Sequence, residues 1–282
     1  MIARNNTLLI ACLLMVIPVT GLAEEGFTKR RVVYKKVGDR ELEIILSEPT
    51  ATSDEPRPAI VFFHGGGWVR GSNKSFSDRV QRYAPRGVVC AQVQYRFVPR
   101  EPNNPPVVCI QDAKSAMRWM RSHAEELNID PNRIMAAGSS AGGHLSAAVG
   151  LLEGVDDPAD DLSISPKPNA MLLFCPVLDN GPQDGYGHER CGPDWRKYSP
   201  AHHVAEGAPP TLIMAGRDDP TAKLSALKRF SDAMQQVGND CELMVFDGSH
   251  SFLNTKQQPE NYPKSVEAFD GFLVKLGWLD QE

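Results

Sequence analysis

Gly138-Ser139-Ser140-Ala141-Gly142 has the spacing G-x-S-x-G. An apolar run, Arg133 to Ala137, precedes it, and a small-residue run with helical character, Ala141 to Leu152, follows. That context separates a nucleophile elbow from an ordinary Gly/Ser turn: a sharp strand-to-helix bend pushes one side chain into a strained, exposed position. Glycines two residues to either side let the chain bend without collision. The helix that follows aims its N-terminus at the site and favours negative charge developing there. Ser140 is therefore the candidate nucleophile.

His64-Gly65-Gly66-Gly67-Trp68 comes directly after a second apolar run, Ala59 to Phe63. Acyl transfer builds an oxyanion, and fixed backbone N–H groups stabilise it by roughly 3 kcal/mol per donor. Glycine lets backbone approach a ligand closely. The expected donors are Gly66 and Gly67, with Ala141 as the third and Gly65 as the fallback. No Lys-Ser/Thr follows the glycines in the P-loop manner, which argues against a phosphate-binding loop. His64 is expected to orient this loop and, with Trp68 and Ser139, to border the substrate.

Two further candidates also follow apolar runs. Gly216-Arg217-Asp218-Asp219-Pro220 comes after Thr211 to Ala215, and Asp247-Gly248-Ser249-His250-Ser251-Phe252 comes after Glu242 to Phe246. A carboxylate in the first loop, Asp219 ahead of Asp218, would hold a histidine in one tautomer and stabilise its cation. His250 would take the proton of Ser140 and pass it to the leaving group. The other histidines compete less well. His64 belongs to the glycine loop, His144 lies one turn into a helix, and His123 lies on a helix surface. His188, His202 and His203 fall in an irregular stretch, Leu178 to Pro210, long enough to shape a cleft.

The elements that must position these groups alternate. Arg31 to Val37 and Glu41 to Leu46 read as a hairpin around Gly38-Asp39. Strands are expected at Ala59–Phe63, Val88–Tyr95, Arg133–Ala137, Ala170–Cys175, Thr211–Ala215 and Glu242–Phe246. Helices are expected at Lys74–Ala84, Val107–Leu127, Ala141–Leu152, Ala222–Val237 and Tyr262–Leu276. Such alternation implies a mostly parallel sheet of about eight strands with helices on both faces. Ligands bind at the carboxyl ends of such strands, where all four candidate loops lie.

The chain has 282 residues, 41% hydrophobic and 23% charged, with a formal net charge of −5. One large α/β domain, 24–282, accommodates that length. The acidic balance and the lack of a basic cluster point away from nucleic acid. Arg4, the apolar run Thr7 to Val19 and the small residues Gly21 and Ala23 read as a secretory signal, 1–23, cleaved after Ala23. The run is short for a bilayer span, so no stable membrane association is expected once it is removed. Leu9-Ile10-Ala11-Cys12 resembles a lipoprotein signal, but the apolar run continues past Cys12. Cleavage leaves Cys90, Cys109, Cys175, Cys191 and Cys241. An odd number leaves at least one thiol unpaired or paired between chains. Cys90, Cys175 and Cys241 sit in strand-like runs as small hydrophobes; Cys109 and Cys191 are the pair considered for a bridge. No cysteine spacing suits a metal.

The His64–Trp68 loop with Gly138-Ser139-Ser140-Ala141-Gly142-Gly143-His144 resembles the hormone-sensitive-lipase-like branch of the α/β-hydrolases. Within it the chain is similar to compact bacterial esterases that include feruloyl and acetylxylan esterases. The resemblance runs from about Val32 to the C-terminus. Tyr95-Arg96-Phe97, Gln111-Asp112, Asp130-Pro131-Asn132-Arg133-Ile134 and Tyr198-Ser199-Pro200 match as scaffold. The order Ser140, Asp219, His250 is the one that fold uses. The resemblance implies an α/β-hydrolase fold and a cofactor-free serine esterase. Its substrates would be short-chain or aromatic-acid esters, small molecules or carbohydrate esters. Larger-capped relatives carry a helical lid before the glycine loop, and residues 24–63 are spent mostly on strands, so no large lid is expected. A peptidase of the same fold is the competing enzyme, though its usual β-propeller has no room here. A non-catalytic binding protein would typically have lost the nucleophile or the base.

Overall fold

The computed structural model describes residues 22–281. The expected export signal, 1–23, and Cys12 within it lie outside the described residues, apart from Leu22 and Ala23. Nine strands form one sheet among the described residues: β1 (Leu22–Glu24), β2 (Phe27–Val37), β3 (Arg40–Pro49), β4 (Arg57–Phe63), β5 (Val89–Val93), β6 (Ile129–Ser139), β7 (Ala170–Phe174), β8 (Thr211–Gly216) and β9 (Cys241–Phe246). Their order is β1-β2-β3-β5-β4-β6-β7-β8-β9. Eight match the expected strands, and the ninth is the short β1. The pairs from β1 through β3 to β5 are antiparallel, and those from β5 to β9 are parallel.

The helices are α1 (Ser77–Tyr83), α2 (Val107–Ser122), α3 (Ala141–Leu151), α4 (His188–Cys191), α5 (Leu224–Gln236) and α6 (Asn261–Lys275). Side chains alternate across each inner strand. On β4, Ile60 and Phe62 pack with α1, α5 and α6 through Val80, Phe230 and Phe269. Ala59, Val61 and Phe63 point the other way, toward Ile110 and Met117 of α2 and Leu145 of α3. Burial on both faces is why these strands read as unbroken apolar runs.

Two boundaries differ from the sequence expectation for one reason. The second helix stops at Ser122 rather than Leu127, and β6 begins at Ile129 rather than Arg133. Turns after Ser122 return the chain, with Ile129 N–H bonding to Ala124 O, so that Ile129 pairs with Arg57. The turn signal Asp130-Pro131-Asn132 is absorbed as an irregularity inside that pairing, with Asp130 accepting from Asn132 N–H at 2.8 Å.

Adjacent β4 and β6 carry the glycine loop and Ser140 at their carboxyl ends. The chain moves from β4 to β5 on one side and later to β6 on the other, so the connections diverge and leave a crevice there. Among the described residues before His64 there are strands and no helix. No helix among the described residues is long and apolar enough to cross a membrane.

Candidate active site

Ser140 sits between β6 and α3 with φ 54° and ψ −116°, a strained conformation for a side-chain-bearing residue. Close packing forces it there. A Cβ on Gly142 would stand 1.9 Å from Phe63 O, and one on Gly138 would stand 2.3 Å from Gly142 O. The elbow is thus pressed against the end of β4, which brings Ser140 beside the glycine loop.

The loops after β8 and β9 are tied together: Arg217 N–H donates to Phe246 O at 2.8 Å and Asp218 N–H to Gly248 O at 3.0 Å. This brings the acid and the histidine to the serine. Ser140 Oγ lies 2.9 Å from His250 Nε2, and His250 Nδ1 lies 2.7 Å from Asp219 Oδ2. Asp219 is buried, and its other oxygen accepts the N–H groups of Thr221 and Ala222 at 2.7 and 2.9 Å. In the neutral ring Nδ1–H therefore points at the carboxylate, and Nε2 faces the hydroxyl as an acceptor. Asp218 is exposed, and Asp219 is the acid that meets His250. Burial lowers the His250 pKa, but hydrogen bonds with Asp219 and neighbouring Cys175 outweigh it and push it up to about 10.

A cleft of about 670 Å³ opens over this trio, lined by Gly66, Gly67, Ser139, Ser140, His250 and Phe252, among others. Among the described residues nothing accepts the N–H of Gly66, Gly67 or Ala141. Gly66 and Gly67 line the cleft with Ser140, and Ala141 directly follows it, so these N–H groups are the candidates to hold an oxyanion. Gly65 does not line the cleft.

Two residues expected at the substrate lie behind the wall instead. Trp68 is fully buried, edge-on to His144 at 4.9 Å, with the Arg190 guanidinium over its ring at 5.1 Å. Its positive φ, 62°, turns the indole inward. His64 is also buried, stacked on Tyr95 at 4.3 Å, with Nδ1–H donating to Gly65 O at 2.8 Å. Burial lowers its pKa. Both residues hold the loop from beneath. Ser139 does line the cleft. His202 and His203 are used internally, bonding to Ser199 Oγ and Arg196 O, and do not line it.

Three further residues shape this site. Cys175, which reads in the sequence as strand interior, stands just past the end of β7 on the cleft wall. Its position after a strand, shared with the other candidates, was the available signal. Tyr186 lines the cleft near Gly67, and Arg190 Nη1 donates to Gly67 O at 2.7 Å. Both come from the irregular stretch, whose spacing carries no periodic signal. The five thiols are unpaired and buried, so the bridge considered for Cys109 and Cys191 does not form. The matched landmarks lie in the scaffold: Arg96 pairs with buried Asp112 through Nε at 2.8 Å and Nη2 at 2.7 Å, joining the end of β5 to α2.

A serine at a strained elbow, on a sheet whose parallel strands all deliver their loops to one rim, defines the α/β-hydrolase class of serine hydrolases. The family model described as BD-FAE matches residues 43–178. Native esterase 2 of Thermogutta terrifontis superposes with a TM-score of 0.82 at 38% identity, covering 90% of this chain and 94% of that one. Its propionate-bound and butyrate-bound structures match with the same score, at 38% and 36% identity, covering 90% of this chain and 96% of each. Esterase LipC of Mycobacterium tuberculosis is 28% identical over 235 residues, 74% of this chain and 55% of that protein. A probable isoprenylcysteine alpha-carbonyl methylesterase of Arabidopsis thaliana is 23% identical over 250 residues, 79% of this chain and 50% of its own length. The chain thus spans about half the length of these curated relatives. It belongs to the hormone-sensitive-lipase-like esterase family of the α/β-hydrolases.

Proposed function

We propose that this chain is an exported serine carboxylic-ester hydrolase acting on small esters by two-step acyl transfer. The observation that carries the reading is the Ser140–His250–Asp219 chain of hydrogen bonds at the cleft. Ser140 Oγ attacks the ester carbonyl and gives its proton to His250 Nε2, and Asp219 stabilises the imidazolium. The N–H groups of Gly66, Gly67 and Ala141 take up the oxyanion. His250 protonates the departing alcohol, then activates the water that frees the acid.

The acyl side is a short-chain or aromatic acid, and the alcohol a small soluble one, a carbohydrate included. Esterase 2 of T. terrifontis, solved with propionate and with butyrate bound, supports the short-chain reading. The absence of a helix before His64 among the described residues supports access by a bulky alcohol. Export rests on Arg4, the Thr7–Val19 run and the small residues before Glu24.

Hydrolysis of p-nitrophenyl acetate by the wild type and Ser140→Ala tests the chemistry. Equal rates would remove Ser140 from it. A panel of acetylated and feruloylated sugars tests the substrate range, and activity on none of them ends the carbohydrate reading. A mature protein outside the cytoplasm that begins at Glu24 is the expected result of N-terminal sequencing. An intact N-terminus on protein held in the cytoplasm overturns the export reading.

A further inference from the structure

Cys175 has a left-handed backbone, φ 37°, where β7 leaves the sheet. That turn sets its thiol on the cleft wall beside the reacting groups. Cys175 Sγ, a carboxylate oxygen of Asp219 and a ring nitrogen of His250 all lie within 4.8 Å of one another. The acyl-transfer sequence gives the thiol nothing to do. Cys175 and Asp219 are nearly closed to solvent, while His250 opens to the cleft.

We propose that Cys175, His250 and Asp219 form a site for a thiophilic divalent cation, zinc foremost, and that the bound ion switches the enzyme off. Thiolate sulfur, imidazole nitrogen and carboxylate oxygen are the donors zinc takes in three-ligand sites, with water in the fourth position. The soft sulfur selects zinc, cadmium or cobalt over magnesium and calcium, which prefer oxygen cages. Zinc bonds of ~2.0–2.3 Å put ligand atoms about 3.5 Å apart. His250 Nδ1 and Asp219 Oδ2, now 2.7 Å apart, must open slightly and the wider pairs must close.

The balance is simple. The thiol releases one proton to solvent and a protonated imidazole releases a second; sulfur, nitrogen and oxygen each bond the ion, and nothing is oxidised or reduced. Inhibition, which rests on the proposed triad, follows at either ring nitrogen. An ion on Nε2 occupies the lone pair that accepts the Ser140 proton. An ion on Nδ1 leaves the neutral ring with its proton on Nε2, the wrong tautomer for a base.

Cobalt titration of the metal-free full chain reads binding directly, through thiolate-to-cobalt absorbance in the near ultraviolet. We expect that band in the wild type and also in Ser140→Ala, which has no serine chemistry to lose. Binding is thereby judged separately from the esterase reading. Zinc should displace the cobalt and suppress p-nitrophenyl acetate hydrolysis, while equal magnesium or calcium should not. In Cys175→Ala and Cys175→Ser the band should vanish. The half-inhibitory zinc concentration, measured against each variant's own metal-free rate, should rise about tenfold or more. A wild type without the band, or variants with the band and the zinc sensitivity intact, overturns the site. A band in the wild type with undiminished hydrolysis overturns the inhibitory role. Should neither variant fold, zinc must protect wild-type Cys175 from alkylation, read by mass spectrometry; equal labelling with and without zinc overturns the proposal.

Discussion

Arg190 holds Gly67 from 123 residues further along the chain, donating from Nη1 to its carbonyl at 2.7 Å. The same guanidinium covers the Trp68 ring, so one side chain clamps both the glycine turn and the aromatic beneath it. A loop whose N–H groups must face a forming oxyanion works only if it is fixed beforehand. Arg190→Met keeps the stem and removes the donor. The expected result is a kcat about tenfold lower on p-nitrophenyl acetate, with KM changed far less. An unchanged kcat would separate the clamp from catalysis.

Asp219 and Asp218 are neighbours in sequence with opposite surroundings. Asp219 is buried between two backbone N–H donors and His250, while Asp218 faces solvent. Replacing a triad acid by its amide leaves the shape and inverts the histidine tautomer, at a cost of roughly 10⁴ in kcat. Asp219→Asn should show a loss of that order, and Asp218→Asn a rate within about twofold of wild type. Comparable losses from both would reject the assignment.

The rate should climb with pH to the alkaline side of the usual imidazole range. As the proposed base, His250 acts only when neutral, and its partners, Asp219 first among those that raise it, hold its pKa up against burial, at about 10. Raising the pH through that value removes the proton and turns the base on. In Asp219→Asn the stabilising charge is gone, so the limb of kcat/KM against pH should shift to lower pH. A limb in the same place in both proteins would mean that another group controls it.

Much of this site was legible because its signals are local. Ser140, Asp219 and His250 each follow a short apolar strand, and a parallel sheet brings such loops to one rim. Trp68 and His64 misled because a glycine-rich loop states which backbone comes close, not which way its flanking side chains turn. That direction is set by partners distant in sequence: Arg190 and His144 for Trp68, and Tyr95 for His64. Cys175 was obscured for a related reason. One residue separates the interior of β7 from the cleft, and an apolar run does not mark its own last residue.

Packing at the elbow predicts opposite results for two glycines. Gly142 faces Phe63 O where its own Cβ would be, so Gly142→Ala must push β4 and α3 apart. Its expected cost is several kcal/mol in urea denaturation, or failure to fold, together with loss of activity. Gly271 is exposed on α6, and a Cβ there meets nothing within 4 Å. Gly271→Ala should stabilise by about 0.5–1 kcal/mol with activity unchanged. Loss of stability in that variant, or none in Gly142→Ala, would contradict the packing described.

His144 makes the fold sensitive to acid. It is buried on α3 one turn past Ser140, with Nε2–H donating to Tyr198 O at 2.7 Å and its ring edge-on to Trp68. Burial lowers its pKa from 6.5 to about 4, with the Tyr198 carbonyl opposing. Above pH ~6.5 neither the folded nor the unfolded chain carries the proton, and the neutral ring contributes in full. Below it the unfolded chain takes up a proton that the folded one refuses, so stability falls until the pH reaches the folded value. The depressed pKa corresponds to about 3 kcal/mol. Urea unfolding of the wild type should show a loss of that order between about pH 8 and pH 4, over and above the loss in His144→Gln, which cannot titrate there. All other titrating groups are common to the two proteins, so equal losses would place the acid sensitivity elsewhere.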